Sequence, residues 1–318
     1  MIDKIAVIGA GIMGRGIALV YALHGYRVAL HDINPEAMNQ AKALINADLM
    51  LLVNEGMVSH ADQQTALTNI TPTDNLKEAV GNASFITEAA PEKLSLKWQI
   101  LSQIEAHAPT TAIIASNTST LPLAELNKHL ARPERMLITH FFNPAHLVPL
   151  VEIIRIVSTP DKTIKTILNL LRRIGKIPIV LKKEVPGFIA NRLQAAILRE
   201  ALHLVATDVA SQQDIDLAVT AGPGFRWSFI GPLETADFGG LDTWQSVMNN
   251  LAPELDCTPT VPAVLKEMNH QGHLGVKTGQ GFYTYPNKQI IADKIHQRDL
   301  EFIRLLRLRR KEGFQPDS

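Results

Sequence analysis

The sequence contains 318 residues, 46% of them hydrophobic and 19% charged, the proportions of a globular protein long enough to form about two domains. Its formal net charge is zero, which gives no indication of nucleic-acid or anionic-membrane binding. The one exception, the basic tract "RLLRLRRK", sits in an amphipathic helical pattern and is interpreted as a solvated helix face. A single cysteine, Cys257, excludes an internal disulfide and indicates a reducing compartment, and the sequence has no cysteine–histidine spacing typical of a metal site.

The chain starts almost directly on "KIAVIGAGIMG", which indicates a buried strand, a glycine turn and a helix. No basic leader precedes this segment and its apolar run is too short to cross a bilayer, so we expect a cytoplasmic protein without membrane contact. The spacing Gly9-x-Gly11-x-x-Gly14 predicts a dinucleotide site, where glycines permit a tight turn and close approach of a diphosphate to the helix N-terminus. The predicted contacts of this loop are Gly9, Gly11, Ile12, Met13 and Gly14.

A second predicted strand, "RVALHD", ends in Asp32, eighteen residues after Gly14. A carboxylate at that position accepts hydrogen bonds from the ribose 2′-hydroxyl of NAD and repels the 2′-phosphate of NADP. Because Ile33 follows and no arginine stands close by, the sequence favours NAD. A flavin is the main alternative ligand of such a motif, and a purely structural glycine turn is the other alternative.

Short apolar strands alternate with helical segments over the first part of the chain. This alternation predicts an α/β domain of the Rossmann type, with a doubly wound, mostly parallel sheet covered by helices on both faces. After "EVPGFIANRL" the strand patterns stop and only helical ones follow. We therefore predict a Rossmann domain over residues 1–184 and an all-α domain over residues 185–318. The predicted strands are "KIAVIGA", "RVALHD", "ASFITEAA", "TAIIASN", "RMLITHFF", "VPLVEII" and "IPIVLK".

The segment "ITHFFNPAHLVPLVEII" carries a histidine and a glutamate in apolar, strand-like surroundings. His140 and Glu152 are symmetric about residue 146, so a turn between two strands would bring their side chains together. Oxidation of an alcohol by NAD requires a base, and a histidine oriented by a carboxylate meets that requirement. The alternative is a structural histidine with a satisfied hydrogen bond. Upstream, "SNTST" with Ser119 ends another predicted strand, at the sheet edge where such folds bind ligands.

Seven segments, in one order, resemble motifs of the L-3-hydroxyacyl-CoA dehydrogenase family over essentially the whole chain. The resemblance implies an NAD-binding Rossmann domain, a helical domain that forms homodimers, and oxidation of the C3 hydroxyl of a small-molecule 3-hydroxyacyl substrate, as in fatty acid metabolism. The segments are "VIGAGIMGRGIA", "EAAPEKLSLK", "ASNTSTL", "HFFNPAHLVPLVEII", "PGFIANRL", "GPLETADFGGLD" and "VKTGQGFYTY".

The same resemblance assigns roles to single residues. The catalytic histidine–glutamate pair of the family is matched by His140 and Glu152, and its substrate-contacting serine and asparagine are matched by Ser119 and Asn191. Dinucleotide contacts outside the glycine loop fall on Glu92, Lys97, Ser119 and Lys277. The residues other than the histidine pair have structural alternatives: Asn191 as a helix cap, Ser119 as a turn residue, Glu92 and Lys97 as a surface pair, and Lys277 as a solvated side chain.

Two segments depart from the acyl-CoA enzymes. Relatives that use coenzyme A often carry a lysine-rich hairpin after the second strand, whereas residues 34–64 contain one lysine, Lys42, among several carboxylates that repel phosphates. "GPGFRWSFIGPLET" carries Arg226 and is similar to the lambda-crystallin / L-gulonate 3-dehydrogenase branch and to carnitine dehydrogenases. Because arginine binds carboxylates in a bidentate manner, Arg226 is a candidate substrate contact, together with Asn143. The alternative for Arg226 is a surface residue stacked on Trp227 or Phe225. A free 3-hydroxy acid is therefore the alternative substrate.

An alternative of another class is a non-catalytic, NAD-binding structural protein, since crystallins have been recruited from this family. The complete set of His140, Glu152, Ser119 and Asn191 favours an enzyme.

Overall fold

The computed structural model describes residues 2–311 of the chain. These residues form two compact units. The first takes the chain up to Ile189 and again from Gln297 onward, and the second takes Ala190–His296. Within the described range, no helix combines the length and the apolar character that crossing a membrane would need.

An eight-stranded sheet forms the centre of the first unit, in the order β3-β2-β1-β4-β5-β6-β7-β8. Neighbouring strands pair in parallel everywhere except between β6 and β7, which pair antiparallel. The predicted doubly wound, mostly parallel sheet is therefore confirmed. The strands are β1 (Lys4–Ile8), β2 (Arg27–His31), β3 (Ile70–Thr73), β4 (Phe85–Glu88), β5 (Ile113–Ser116), β6 (Met136–Phe141), β7 (Leu150–Ile154) and β8 (Ile177–Val180).

Helices cover both faces of this sheet because successive strand residues point to opposite sides. In β1, Ile5 and Val7 join one hydrophobic cluster, while Ala6 and Ile8 join another on the opposite face. All four side chains are at most 2% exposed, so both faces of the strand are buried. The helices of this part are α1 (Ile12–Leu23), α2 (Pro35–Asn54), α3 (His60–Asn69), α4 (Leu76–Val80), α5 (Leu94–His107), α6 (Leu123–Leu126) and α7 (Asp161–Arg173).

The second unit is helical, which confirms the predicted change of class. Its described residues contain helices and, outside them, isolated bridges at Gln280. The last helix, α14, begins in this unit and ends in the first, where Ile303 is fully buried against Leu52 and Leu147. The helices are α8 (Ala190–Ala206), α9 (Gln212–Ala221), α10 (Pro223–Trp227), α11 (Pro232–Gly239), α12 (Leu241–Leu251), α13 (Ala263–His270) and α14 (Lys288–Lys311).

Candidate active site

The glycine loop follows β1, where the strand order changes direction between β1 and β4. Open α/β sheets bind their ligands at such a switch point. Gly9 has a φ of 104°, and a Cβ there would approach the carbonyl oxygen of Ala89 to 2.7 Å. A Cβ at Gly14 would lie 1.7 Å from the carbonyl oxygen of Gly9. Both positions therefore require glycine for the strands and α1 to pack this closely.

The middle glycine of the motif, Gly11, leaves room for a ligand. Apart from Gly11 and its chain neighbours, no atom lies within 4 Å of the position that its Cβ would take, and α1 begins at the next residue without a side-chain cap on its amides. Ile12 is 64% exposed and Met13 is partly buried. Uncapped amides at the positive end of a helix dipole, next to open space, fit the diphosphate of NAD.

Asp32 follows β2 and directs its carboxylate to the glycine loop. Oδ2 accepts a hydrogen bond from the amide of Ala10 at 2.8 Å, and Oδ1 accepts one from the amide of Asn34 at 2.9 Å. These bonds fix the carboxylate beside the loop, and each oxygen keeps a lone pair with which a ribose hydroxyl can bind.

The antiparallel register of β6 and β7 sets His140 directly opposite Glu152. His140 is 3% exposed and Glu152 is fully buried. Nδ1 of the ring lies 2.8 Å from Oε2 of Glu152, and because a carboxylate only accepts, Nδ1 carries the proton. The other oxygen, Oε1, accepts a hydrogen bond from the amide of Ile189 at 2.9 Å. Nε2 is thereby left as the basic nitrogen of the ring.

The basic nitrogen of His140 faces the hydroxyl of Ser119. Nε2 and Oγ lie 3.0 Å apart, and Ser119 is exposed, so this pair stands at an accessible edge of the sheet. The rings of Phe142 and Phe188 lie 4.5 Å and 5.3 Å from the imidazole, centre to centre. The arrangement offers a ligand one base and one hydroxyl, framed by two aromatic rings.

Glu92 holds the loop that carries Ser119. Its Oε1 accepts hydrogen bonds from two amides and two hydroxyls of residues 118–120, at 2.6–3.0 Å. Burial alone would raise the pKa of Glu92, but the hydroxyl of Thr118 and the ammonium of Lys97 outweigh it, and the pKa falls below its usual range. The carboxylate is therefore ionised at neutral pH.

Lys97 is fully buried, so the alternative in which it forms a surface pair with Glu92 is wrong. Its Nζ donates to both carboxylate oxygens of Glu88, at 2.8 Å and 3.0 Å, and to the carbonyl oxygen of Ala90 at 3.1 Å. Lys97 thus presents no surface to a ligand in this structure.

The hydrogen bonds described for this cluster do not involve the remaining predicted residues, and each of these is described within its own unit. Asn143 belongs to the first unit and is exposed just after Phe142. In the second unit, Asn191 is the second residue of α8 and is partly buried, while Arg226 on α10 and Lys277 are exposed. Their roles stay predictions.

Sequence reasoning does not find three contributors to the site. The amide of Ile189 has no sequence signal, because every residue except proline carries a backbone amide. The ring of Phe188 lies in the quoted "PGFIANRL" segment, but nothing in that segment pairs it with His140. Glu88 has a usable signal, since it ends the buried strand "FITE" at the same edge of the sheet as Asp32.

Both halves of the chain match models of one protein family. Residues 4–185 match the NAD binding domain of 3-hydroxyacyl-CoA dehydrogenase, and residues 187–285 match the C-terminal domain of the same enzyme.

Similar proteins extend the match to nearly the whole chain. L-Carnitine dehydrogenase from Streptomyces coelicolor is 35% identical over 318 residues, which are 100% of this chain and 98% of that protein. The crystal structure of 5-formyl-3-hydroxy-2-methylpyridine 4-carboxylic acid 5-dehydrogenase, an NAD+-dependent dismutase, aligns with a TM-score of 0.89 and 33% identity over 99% of this chain and 100% of that one. The structure of (S)-3-hydroxybutyryl-CoA dehydrogenase from Ralstonia eutropha aligns with a TM-score of 0.74 and 35% identity over 90% of this chain and 100% of that one.

The family matches include the glycine loop, the β6–β7 hairpin and most of the helical unit. The chain belongs to the 3-hydroxyacyl-CoA dehydrogenase family and is an NAD-dependent dehydrogenase.

Proposed function

We propose that this chain oxidises the C3 hydroxyl of a 3-hydroxyacyl substrate with His140 as the general base. The observation that carries the proposal is the antiparallel register that pairs His140 with the buried Glu152 while Nε2 faces Ser119. A structural histidine needs one satisfied hydrogen bond. This ring instead has a carboxylate on one nitrogen and an accessible hydroxyl on the other, the arrangement that general-base catalysis requires.

In the proposed reaction the substrate hydroxyl lies within hydrogen-bond distance of Nε2 and of the hydroxyl of Ser119. As the proton moves to Nε2, Glu152 balances the charge of the imidazolium at 2.8 Å. The amide of Ile189 keeps that carboxylate in place by holding its second oxygen. When bound, NAD supplies the hydride acceptor. Asn191 is proposed as a further substrate contact.

We assign cofactor binding to the glycine loop, Asp32, Glu92, Ser119 and Lys277. The loop would hold the diphosphate on the amides of α1, and Asp32 would hold the adenosine ribose. Glu92 and Ser119 stand at the same sheet edge as His140 and so are suited to the reactive end of the cofactor.

The test is an absorbance assay for NADH with purified protein, NAD, and a panel of 3-hydroxyacyl-CoA thioesters and free 3-hydroxy acids. Turnover that disappears in His140→Gln supports the proposal. If NAD binds but no member of the panel is oxidised, the chain is better described as a non-catalytic NAD-binding protein.

A free 3-hydroxy acid is the second candidate substrate, and the charge of α2 and α3 favours it. Glu36 and Asp62 are exposed there, and Lys42 is the single lysine of residues 34–64. Such a surface repels the phosphates of coenzyme A. Two relatives that match 99–100% of this chain are named for L-carnitine and for a pyridine carboxylic acid. Relatives named for coenzyme A esters match 90–98% of it, so a thioester stays the first candidate.

Arg226 is proposed to bind the carboxylate of such a free acid. It is exposed on α10, and charge-assisted bonds of this kind contribute about 1.5–3 kcal/mol. Arg226→Ala should therefore lower kcat/KM for free hydroxy acids by about 10- to 150-fold and leave kcat/KM for thioesters unaffected. The measurement compares L-gulonate, L-carnitine, 3-hydroxybutyrate and 3-hydroxybutyryl-CoA on both proteins. A strong preference of the wild type for the thioester, unchanged in the variant, contradicts the free-acid assignment.

We also propose a homodimer formed through the helical unit, and a cytoplasmic location. The dimer is supported by the many large apolar side chains that this unit exposes. The location is supported by the single cysteine, which is free and exposed.

A further inference from the structure

A buried ion pair lies beneath the loops of the proposed active site. Glu88 ends β4, Lys97 lies in the first turn of α5, and neither side chain has any exposed surface. Removing two charges from water costs several kcal/mol, and apolar side chains of similar size often stabilise a fold equally well. Stability alone is therefore a weak reason for an ion pair here, so its contacts with the surrounding loops are informative.

The pair ties the turn after β4 to the neighbouring strand. Oε1 of Glu88 accepts a hydrogen bond from the amide of Ala90 at 2.7 Å, and Oε2 accepts one from the hydroxyl of Ser116, at the end of β5, at 2.5 Å. Lys97 donates to the carbonyl oxygen of Ala90 at 3.1 Å. Both polar groups of Ala90 are thus fixed by buried charges, in the turn that leads to Glu92.

From this turn a series of contacts reaches the base. Nζ of Lys97 lies 3.7 Å from Oε2 of Glu92. The other oxygen of Glu92 accepts the four hydrogen bonds from residues 118–120, and Oγ of Ser119 lies 3.0 Å from Nε2 of His140. Apolar side chains at positions 88 and 97 would have no donor to direct at Glu92. The series of contacts that reaches His140 therefore depends on the ion pair.

We propose that Glu88 and Lys97 are positioning residues for the reaction. The pair fixes Glu92, Glu92 fixes the loop of residues 118–120, and the loop holds the hydroxyl of Ser119 against His140. This inference rests on the proposed function of His140, because the orientation of Ser119 affects turnover only if that ring reacts.

The test replaces both charges at once, since removing a single partner would leave an unpaired buried charge and threaten folding. Glu88→Gln/Lys97→Met should lower kcat by about 10- to 100-fold, with a smaller effect on KM. When the same double substitution is added to Ser119→Ala, kcat should fall by less than about threefold more. Residues that act through one another give such non-additive effects. Full additivity would show that the pair does not act through Ser119 and would overturn the inference.

Arg135→Met is the matched control for loss of a buried charge. Arg135 is 8% exposed and donates to the carbonyl oxygens of Ala112 and Pro109, next to the start of β6 and away from Ser119. This variant should lose stability without coupling to Ser119→Ala. Coupling as large as that of the double variant would make the effect a general consequence of destabilisation and overturn the inference.

Hydrogen exchange tests this inference independently of the proposed function. The amides of Ser119 and Thr120 should exchange faster in Glu88→Gln/Lys97→Met than in the wild type, and at an unchanged rate in Arg135→Met. This comparison needs no turnover, so it decides the inference even if the wild type oxidises no 3-hydroxy substrate. Unchanged protection of both amides in the double variant would contradict the proposal.

Discussion

The imidazole of His140 is held at both nitrogens, so its replacement removes the base while the sheet around it stays intact. Gln at this position keeps a polar side chain beside Glu152 but provides no basic nitrogen. We expect His140→Gln to lower kcat by roughly 10²–10⁴ and to leave NAD affinity nearly unchanged. Steady-state kinetics and NAD titration measure both quantities. Turnover close to that of the wild type would contradict the assignment.

Asp32 provides the second prediction at the scale of single residues. Its carboxylate already holds the amides of Ala10 and Asn34 and stands where a ribose hydroxyl would bind. Asp32→Ser should weaken the binding of NAD and reduce the discrimination against NADP, because the charge that repels a 2′-phosphate is removed. Dissociation constants for both dinucleotides test this. The interpretation of Asp32 is wrong if the wild type already uses NADP as well as NAD.

His146 makes the first unit sensitive to acid. Burial, and after it the charge of Arg15, lowers its pKa from the usual 6.5 to about 4. Between these values the unfolded chain binds a proton that the folded chain does not. His146 should therefore lower the free energy of unfolding by about 1.4 kcal/mol per pH unit as the pH drops from 6.5 to 4. His31, whose pKa is also lowered by burial, adds to this decline below pH 6.5. The charged groups around His146 are Arg15, Asp48, Lys176, Arg298 and Asp299.

Urea unfolding at several pH values measures this dependence. His146→Gln should flatten the decline in that pH window, whereas His107→Gln, at an exposed histidine, should leave it unchanged. A decline of equal slope in both variants would place the acid sensitivity in other groups.

At the scale of elements, the strands of the sheet were predictable where their sequences are largely apolar. β8 ("IPIV") and β3 ("ITPT") are both short, partly buried edge strands with a proline, but only β8 has three apolar residues beside it. The two threonines of β3 leave no apolar run that would predict a strand. Within the predicted all-α domain, the segment "PLETADFGGLDTWQSVMNNLA" has one continuous helical pattern but forms two helices, since Gly240 adopts a φ of 85° between α11 and α12. Apolar patterning detects helical character but does not count the helices within one segment.

The pairing of His140 with Glu152 was predictable because the two residues lie at equal distances on either side of a turn between two strands. The Glu92 bonds to residues 118–120 were not, because they join segments about 27 residues apart that meet only in the folded sheet.

The C-terminal half of α14 provides a prediction for a whole element. Ile303 is fully buried in a small cluster with Leu52 and Leu147. Ile303→Ala should lower the free energy of unfolding by about 2–4 kcal/mol, because it removes buried methyl groups and leaves a cavity. Leu308→Ala, at a side chain that is 48% exposed, is the matched control and should change stability little. Equal effects of the two substitutions would mean that Ile303 does not anchor the helix.

At the scale of the molecule, the return of α14 to the first unit was not predictable. The sequence predicts a helix with an apolar side, but this pattern does not say which element covers that side. The predicted division at 184 and 185 assigns everything after it to the helical domain. The structure adds that the described residues from Gln297 to Lys311 pack with the first unit.

The second unit buries few residues in a core of its own. Across Ala190–His296, the residues that fall in the buried class are Leu202 and Thr235. Large apolar side chains are instead exposed along its helices, where Leu233 is 83%, Phe238 77% and Leu241 64% exposed. Exposed apolar surface of this extent is typical of a subunit interface, so a second copy of the chain is the expected partner.

The wild type should therefore have twice the mass of the chain in light scattering coupled to size-exclusion chromatography, even at low micromolar concentration. Phe238→Glu/Leu241→Glu should shift it to the monomer and lower its thermal stability, because each charge would have to be buried against a partner. Val157→Glu is the matched control, since Val157 is an apolar residue of the first unit that is also fully exposed. It should leave the mass unchanged. A monomeric wild type, or a double variant that remains dimeric, would contradict an interface on α11 and α12.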